Sequence, residues 1–77
     1  MEEPANIIYD KNIERYHLYS PINKNNRAYL HSVKETLEEV LIIGLEDFKE
    51  VKYEGVIYTE RILKLKKVWK RLISTNL

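Results

Sequence analysis

Apolar positions along this 77-residue chain recur with three different spacings. Between Arg27 and Ile43, the residues Leu30, Val33, Leu37, Val40 and Leu41 follow one another at intervals of three, four, three and one. At about 100° per residue they share an arc roughly 100° wide, the pattern of an amphipathic helix. Asn26 is placed to cap it. Ser32 with Glu35, and Thr36 with Glu39, both match the capping box, so a start as late as Ser32 also fits. Gly44 reads as a left-handed stop, with Leu45 supplying the apolar contact that follows such a stop. The spacing therefore predicts a helix over about 27–43. Ile42 and Ile43 fall outside its arc and need cover from the N-terminal segment or from another chain.

The stretch Val51-Lys52-Tyr53-Glu54-Gly55-Val56-Ile57-Tyr58 is rich in β-branched and aromatic residues and pivots on Glu-Gly. A two-residue turn there sets Tyr53 opposite Val56 and Val51 opposite Tyr58, all on one face. This is a β-hairpin near 48–58. Thr59 then has the chemistry of an N-cap. From Glu60 to Ser74 the apolar Ile62, Leu65, Val68, Trp69, Leu72 and Ile73 fill one arc of about 140°, with lysine and arginine opposite, which predicts a basic helix near 60–74. Arg61 and Leu63 break that pattern. In the N-terminal third, Ile7-Ile8-Tyr9 and Tyr16-His17-Leu18-Tyr19 read as two short strands joined across Asp10-Lys11-Asn12, although Tyr9, Ile13 and Tyr16 also have helical spacing. Ser20-Pro21 and Asn23-Lys24-Asn25-Asn26 mark a loop.

The expected fold is a small single α+β domain over 1–77, with 1–26 as an irregular or short-stranded segment packing on the rest. The rival is an all-α helical hairpin, in which one long helix continues through Gly44 to Phe48 and Val51. That rival places Gly44 inside a helix, at about 1 kcal/mol, and assigns strongly β-prone residues to helix.

Composition narrows the classes. A chain of this size buries only about 60% of its unfolded surface, so its core has little margin. With no cysteine there is no disulfide and no cysteine zinc site. The opening Met1-Glu2-Glu3-Pro4 is unlike a signal peptide, and the apolar run Val40–Leu45 is far short of the roughly 20 residues a bilayer requires. The expectation is a cytoplasmic protein with no membrane contact.

The net charge of +1 conceals a layout. Residues 35–60 carry eight carboxylates against Lys49 and Lys52, whereas residues 61–77 carry six basic side chains and no carboxylate. A basic C-terminal helix suits a phosphate backbone through Lys64, Lys67, Lys70 and Arg71. The acidic middle cancels the long-range field, which favours a charge pattern satisfied within the chain or by a protein partner.

No phosphate loop, nucleophile elbow or thiol nucleophile is present. His31 and Glu35 are four apart, and with His17 and Asp10 they make a metal set only if the N-terminal segment folds over the helix. The plainer reading is two partly exposed histidines. No enzyme activity, cofactor or metal is expected. Tyrosine is the main aromatic, with six residues against one Phe and one Trp, and suits half-buried contact surfaces. The sequence thus points to a non-enzymatic protein-interaction module: a small regulator, inhibitor or adaptor. The candidate partner-binding residues are Tyr9, Tyr16, Tyr19, Ile42, Ile43 and Leu63. Self-association, in its simplest form a homodimer, would cover the apolar excess most cheaply. Nucleic-acid binding is the alternative.

Overall fold

A computed structural model of the chain describes residues 3–62. Strand β1 (Ala5–Asp10) turns back into β2 (Arg15–Tyr19), and a loop leads to β3 (Leu30–Lys34). The helix α1 (Leu37–Asp47) then crosses to β4 (Val51–Tyr53) and β5 (Val56–Tyr58). The five strands form one mixed sheet in the order β3-β2-β1-β4-β5. Strand β1 lies at its centre, antiparallel to β2 and parallel to β4. The domain is α+β, not a helical hairpin.

Local chemistry explains most of these boundaries. In the β1–β2 turn, Asp10 Oδ1 accepts from the Asn12 backbone N–H at 2.9 Å. In the loop before β3, Asn23 Oδ1 accepts from the backbones of Asn25 and Arg27, and Asn26 takes the left-handed conformation at φ 59° that asparagine tolerates. The β4–β5 hairpin turns on Glu54 and Gly55, at φ 49° and 79°, so both central residues are left-handed as the hairpin twist demands. Its register pairs Val51 with Tyr58 and Tyr53 with Val56, as the sequence predicts.

The first helix differs from expectation. It begins ten residues later than 27 and runs four beyond 43. Thr36 is its N-cap: the side-chain oxygen accepts from Glu39 N at 3.2 Å, so the second of the two capping-box matches is the one used. Leu30 and Val33 belong to β3. The register shifts between Leu18 and Tyr19, so that Tyr19 pairs with Leu30 while His17 pairs with Val33. Between these pairs β3 carries one residue more than β2, a β-bulge at His31. Two strand residues three apart normally face opposite ways; the inserted residue brings both to one face. The bulge thus reproduces the helical spacing that the sequence shows. Gly44 is no stop either. It sits inside α1, as only the helical rival required, and the helix ends at Phe48, whose N–H donates to Gly44 O at 2.7 Å.

The helix covers one face of the sheet, over β2 and β3 with an edge on β4. Ala5, Ile7, Leu18, Val40, Leu41 and Val51 form the buried core beneath it. Tyr16, Leu37, Ile43, Leu45, Phe48, Tyr53 and Tyr58 pack around that core, each partly buried. Thr59 caps a helical turn at 60–62, its Oγ1 accepting from Ile62 N at 3.3 Å. The remainder of the expected basic helix lies outside the described residues. No helix among the described residues is long and apolar enough to cross a membrane.

Candidate interaction face

Alternation along the strands sends every second side chain away from α1. Strand pairing aligns these residues into two rows on the open face. One row runs Val33, His17, Ile8 across β3, β2 and β1; the other runs Leu30, Tyr19, Asn6, Lys52, Ile57 across all five strands. The face is apolar towards the β3 side. Ile8 keeps 52% of its surface exposed and Leu30 53%, while Val33 and Ile57 are also exposed. Ile22, on the loop between β2 and β3, stands at the margin and lines a shallow concavity with Pro4, Asn6, Ile8, Tyr19, Ala28 and Lys52. His17 contributes its ring more than its polarity, since Nε2 is shielded and has no hydrogen-bond partner. The charges of this face are Asp10 and Arg15 at one end and Lys52 near the other. Arg15 also reaches Glu35 at 3.3 Å.

The residues singled out in the sequence are divided between surfaces. Tyr19 belongs to the open face. Tyr9 and Tyr16 pair across β1 and β2 on the helix side, with ring centroids 4.7 Å apart, and Tyr16 meets Tyr53 edge-on at 5.9 Å. Burial first, then the Glu54 carboxylate and Tyr16, raises the Tyr53 phenol above the ordinary tyrosine range. Ile42 and Ile43 are half-buried on α1, and Ile43 packs against the core. Leu63, Lys64, Lys67, Lys70 and Arg71 lie outside the described residues.

The histidines do not converge. His17 faces the open side, whereas His31 turns to the helix side, where Nε2 lies 2.8 Å from Asp47 Oδ2 and the ring meets Phe48 edge-on at 5.2 Å. Nδ1 of His31 is 2.6 Å from Ser32 Oγ. Glu35 pairs with Arg15, so the four-residue spacing from His31 has no helical meaning. Among the described residues no group of three or more potential ligands is placed to hold a metal.

Sequence reasoning missed Ile8, Ile22, Leu30, Val33 and Ile57 as surface residues. The signal for two of them was present: Ile7-Ile8 and Val56-Ile57 are adjacent apolar pairs, and in a strand adjacent residues occupy opposite faces. Leu30 and Val33 were hidden by the bulge.

The molecule is thus a small α+β domain whose mixed sheet is covered by α1 on one side and has a second side that is apolar towards β3. No family model matches the chain, and no curated protein or solved structure matches it.

Proposed function

We propose that the chain is a non-enzymatic protein-interaction module, acting as a small regulator, inhibitor or adaptor, and that it engages another protein through the open face of its sheet. The observation that carries this reading is the apolar set Ile8, Leu30 and Val33, exposed on the β3 side of the open face with Tyr19 half-buried among them, while Ile57 is exposed at the other edge beyond Asn6 and Lys52. A scattered leucine or isoleucine on a surface needs no explanation, but a contiguous apolar patch marks a contact site. Tyrosine at such a patch combines a large apolar ring with a polar tip, a composition enriched at interfaces. Tyr9, Tyr16, Ile42 and Ile43 are not part of this face and Leu63 lies outside the described residues, so the proposed contact rests on Tyr19 and its apolar neighbours.

The test is affinity capture from the native cell lysate, with and without nuclease, using the parent chain and the Ile8→Lys and Leu30→Lys variants. Both side chains are exposed, so the lysines leave the core intact. A specific protein held by the parent, lost by both variants and indifferent to nuclease is the expected result. Capture that nuclease abolishes, and that Lys64→Glu with Arg71→Glu removes while the sheet variants do not, replaces this reading with nucleic-acid binding. Sedimentation of the parent at high micromolar concentration reads the homodimer separately: a dimer that Leu30→Lys dissociates makes a second copy the partner of this face.

A further inference from the structure

The helix side of the sheet holds a side-chain cluster that the open face lacks. At the β3 bulge His31 and Ser32 both turn to the helix side, where a regular strand would send two successive residues to opposite faces. Ser32 pairs across β2 with the buried Leu18, and its Oγ lies 2.6 Å from His31 Nδ1. α1 follows β3 and ends at Asp47, whose Oδ2 lies 2.8 Å from His31 Nε2. Hydroxyl, imidazole and carboxylate thus stand in one line of hydrogen bonds, built from a strand and the end of a helix.

The carboxylate fixes the direction of that line. It only accepts, so Nε2 carries a proton. In the neutral ring Nδ1 is then the acceptor, and the Ser32 hydroxyl donates to it. A hydroxyl held on a ring nitrogen, with the other nitrogen oriented by a carboxylate, is the arrangement of an activated nucleophile. Phe48 meets the ring edge-on at 5.2 Å and restricts its rotation. Ser32 is only half-buried and His31 and Asp47 are exposed, so a reagent can reach them. The sheet edge adds a donor. Ser20 N–H donates to Tyr29 O, so alternation along β2 also turns the amides of Leu18 and Tyr16 towards β3 and bonds them to their partners Ser32 and Lys34. Val33, between those partners, directs its N–H out of the sheet, because β3 is the end strand. The N–H of the residue after a nucleophile is a recurrent oxyanion donor.

We propose that Ser32 is an acyl-acceptor site for activated acyl esters, with His31 as its base and Asp47 as a positioning residue. Ser32 Oγ attacks the ester carbonyl carbon while its proton passes to His31 Nδ1. The tetrahedral intermediate collapses with loss of the alkoxide, which takes that proton from His31. The products are O-acyl Ser32 and the free alcohol, and no oxidant or further reactant is consumed. One acyl group is taken per chain, which is a modification and not a turnover. The proposal does not rest on the functional reading above, since the three side chains lie on the side of the sheet opposite the open face.

The test treats the full chain with p-nitrophenyl acetate, quenches in acid at early times and maps the acetyl groups by peptide mass spectrometry. The chain has no cysteine, so no thiol competes for the ester. The expected result is an acetyl group on Ser32 that hydroxylamine removes as an oxygen ester, while acetyl groups on lysine survive. His31→Gln should slow labelling of Ser32 by about tenfold or more. Asp47→Asn, which keeps the ring on Phe48, should slow it several-fold, and Asp47→Glu should recover part of the loss, each with the parent's circular dichroism. Labels confined to lysine, or a Ser32 label that forms as fast in either the His31→Gln or the Asp47→Asn chain as in the parent, overturn the proposal. Release of p-nitrophenol beyond one equivalent, abolished by Ser32→Ala, supports the nucleophile and overturns the non-enzymatic reading instead.

Discussion

Gly44, in the middle of α1, stands against Val51 at the start of β4: a β-carbon placed on Gly44 falls 2.8 Å from Val51 Cγ2, with Leu18 Cδ2 next at 3.4 Å. Val51 and Leu18 are both fully buried, so neither can withdraw towards solvent. The glycine sets how closely helix and sheet approach. Gly44→Ala gains about 1 kcal/mol of helix propensity but overpacks the core, which typically costs about 1–3 kcal/mol. The expected outcome is a net loss of stability in urea unfolding. Combining it with Val51→Ala should be less destabilising than the sum of the two single changes, because the second removes the methyl that the first strikes. Strict additivity would show that the contact does not limit the packing.

The N-cap of α1 predicts a second result. Thr36→Ala removes the acceptor for Glu39 N and should cost about 1 kcal/mol, whereas Thr36→Asn should leave stability nearly unchanged. Urea unfolding of both variants, followed by circular dichroism, measures the difference.

The hairpin turn offers a stabilising change. Glu54 holds φ 49°, a conformation that costs an ordinary residue roughly 1–2 kcal/mol and that asparagine adopts more readily. Glu54→Asn should therefore stabilise the domain by up to about 1 kcal/mol. Gly55→Ala should do the opposite: it meets no neighbour within 4 Å, so its loss would report the positive φ of 79° alone. Thermal unfolding of the two variants should move in opposite directions.

Tyr53 sets an alkaline limit. Its phenol is held protonated above the ordinary range by burial and by the Glu54 carboxylate. Folding thus favours the neutral form. The associated stability is fully present below the ordinary tyrosine value of about 10 and is lost as pH rises from there through the folded pKa. Stability of the parent should fall more steeply above about pH 10 than that of Tyr53→Phe. Equal slopes in the two chains would remove this role. Ultraviolet difference titration should also show one late-ionising phenol fewer in the variant.

The half-exposed pair of His31 and Asp47 should contribute little. Its partners are 28% and 54% exposed, and pairs of this kind are worth about 0–1 kcal/mol. Asp47→Asn is expected to change stability by no more than that, measured by urea unfolding. His31→Ala should cost more than Asp47→Asn because it also removes the ring from Phe48.

A run of β-branched and aromatic residues made the hairpin legible, with Gly55 marking its turn because glycine takes a left-handed conformation freely, whereas β1 and β2 stayed open between strand and helix because Tyr9, Ile13 and Tyr16 also have helical spacing. Thr36 and Glu39 showed as one of two capping-box matches, but the choice among them and Asn26 was not legible, because Leu30 and Val33 extended the helical spacing back to residue 27. β3 was not legible, since one inserted residue at His31 gives a strand the spacing of a helix. Whether a bulge exists depends on the partner strand, and β2 is reached only through tertiary pairing. Gly44 was misread likewise: a glycine near a helix end and a glycine required by a neighbour 2.8 Å away look the same in a sequence.

The sequence by itself determined the local grammar of this protein: strand runs, caps, turns, and the separation of an acidic middle from a basic end. These depend on neighbours a few residues away. Tertiary structure decided which face each apolar residue occupies, and so which of them form core and which form surface. That assignment follows from strand register, where one added residue carries a side chain from one side of the sheet to the other.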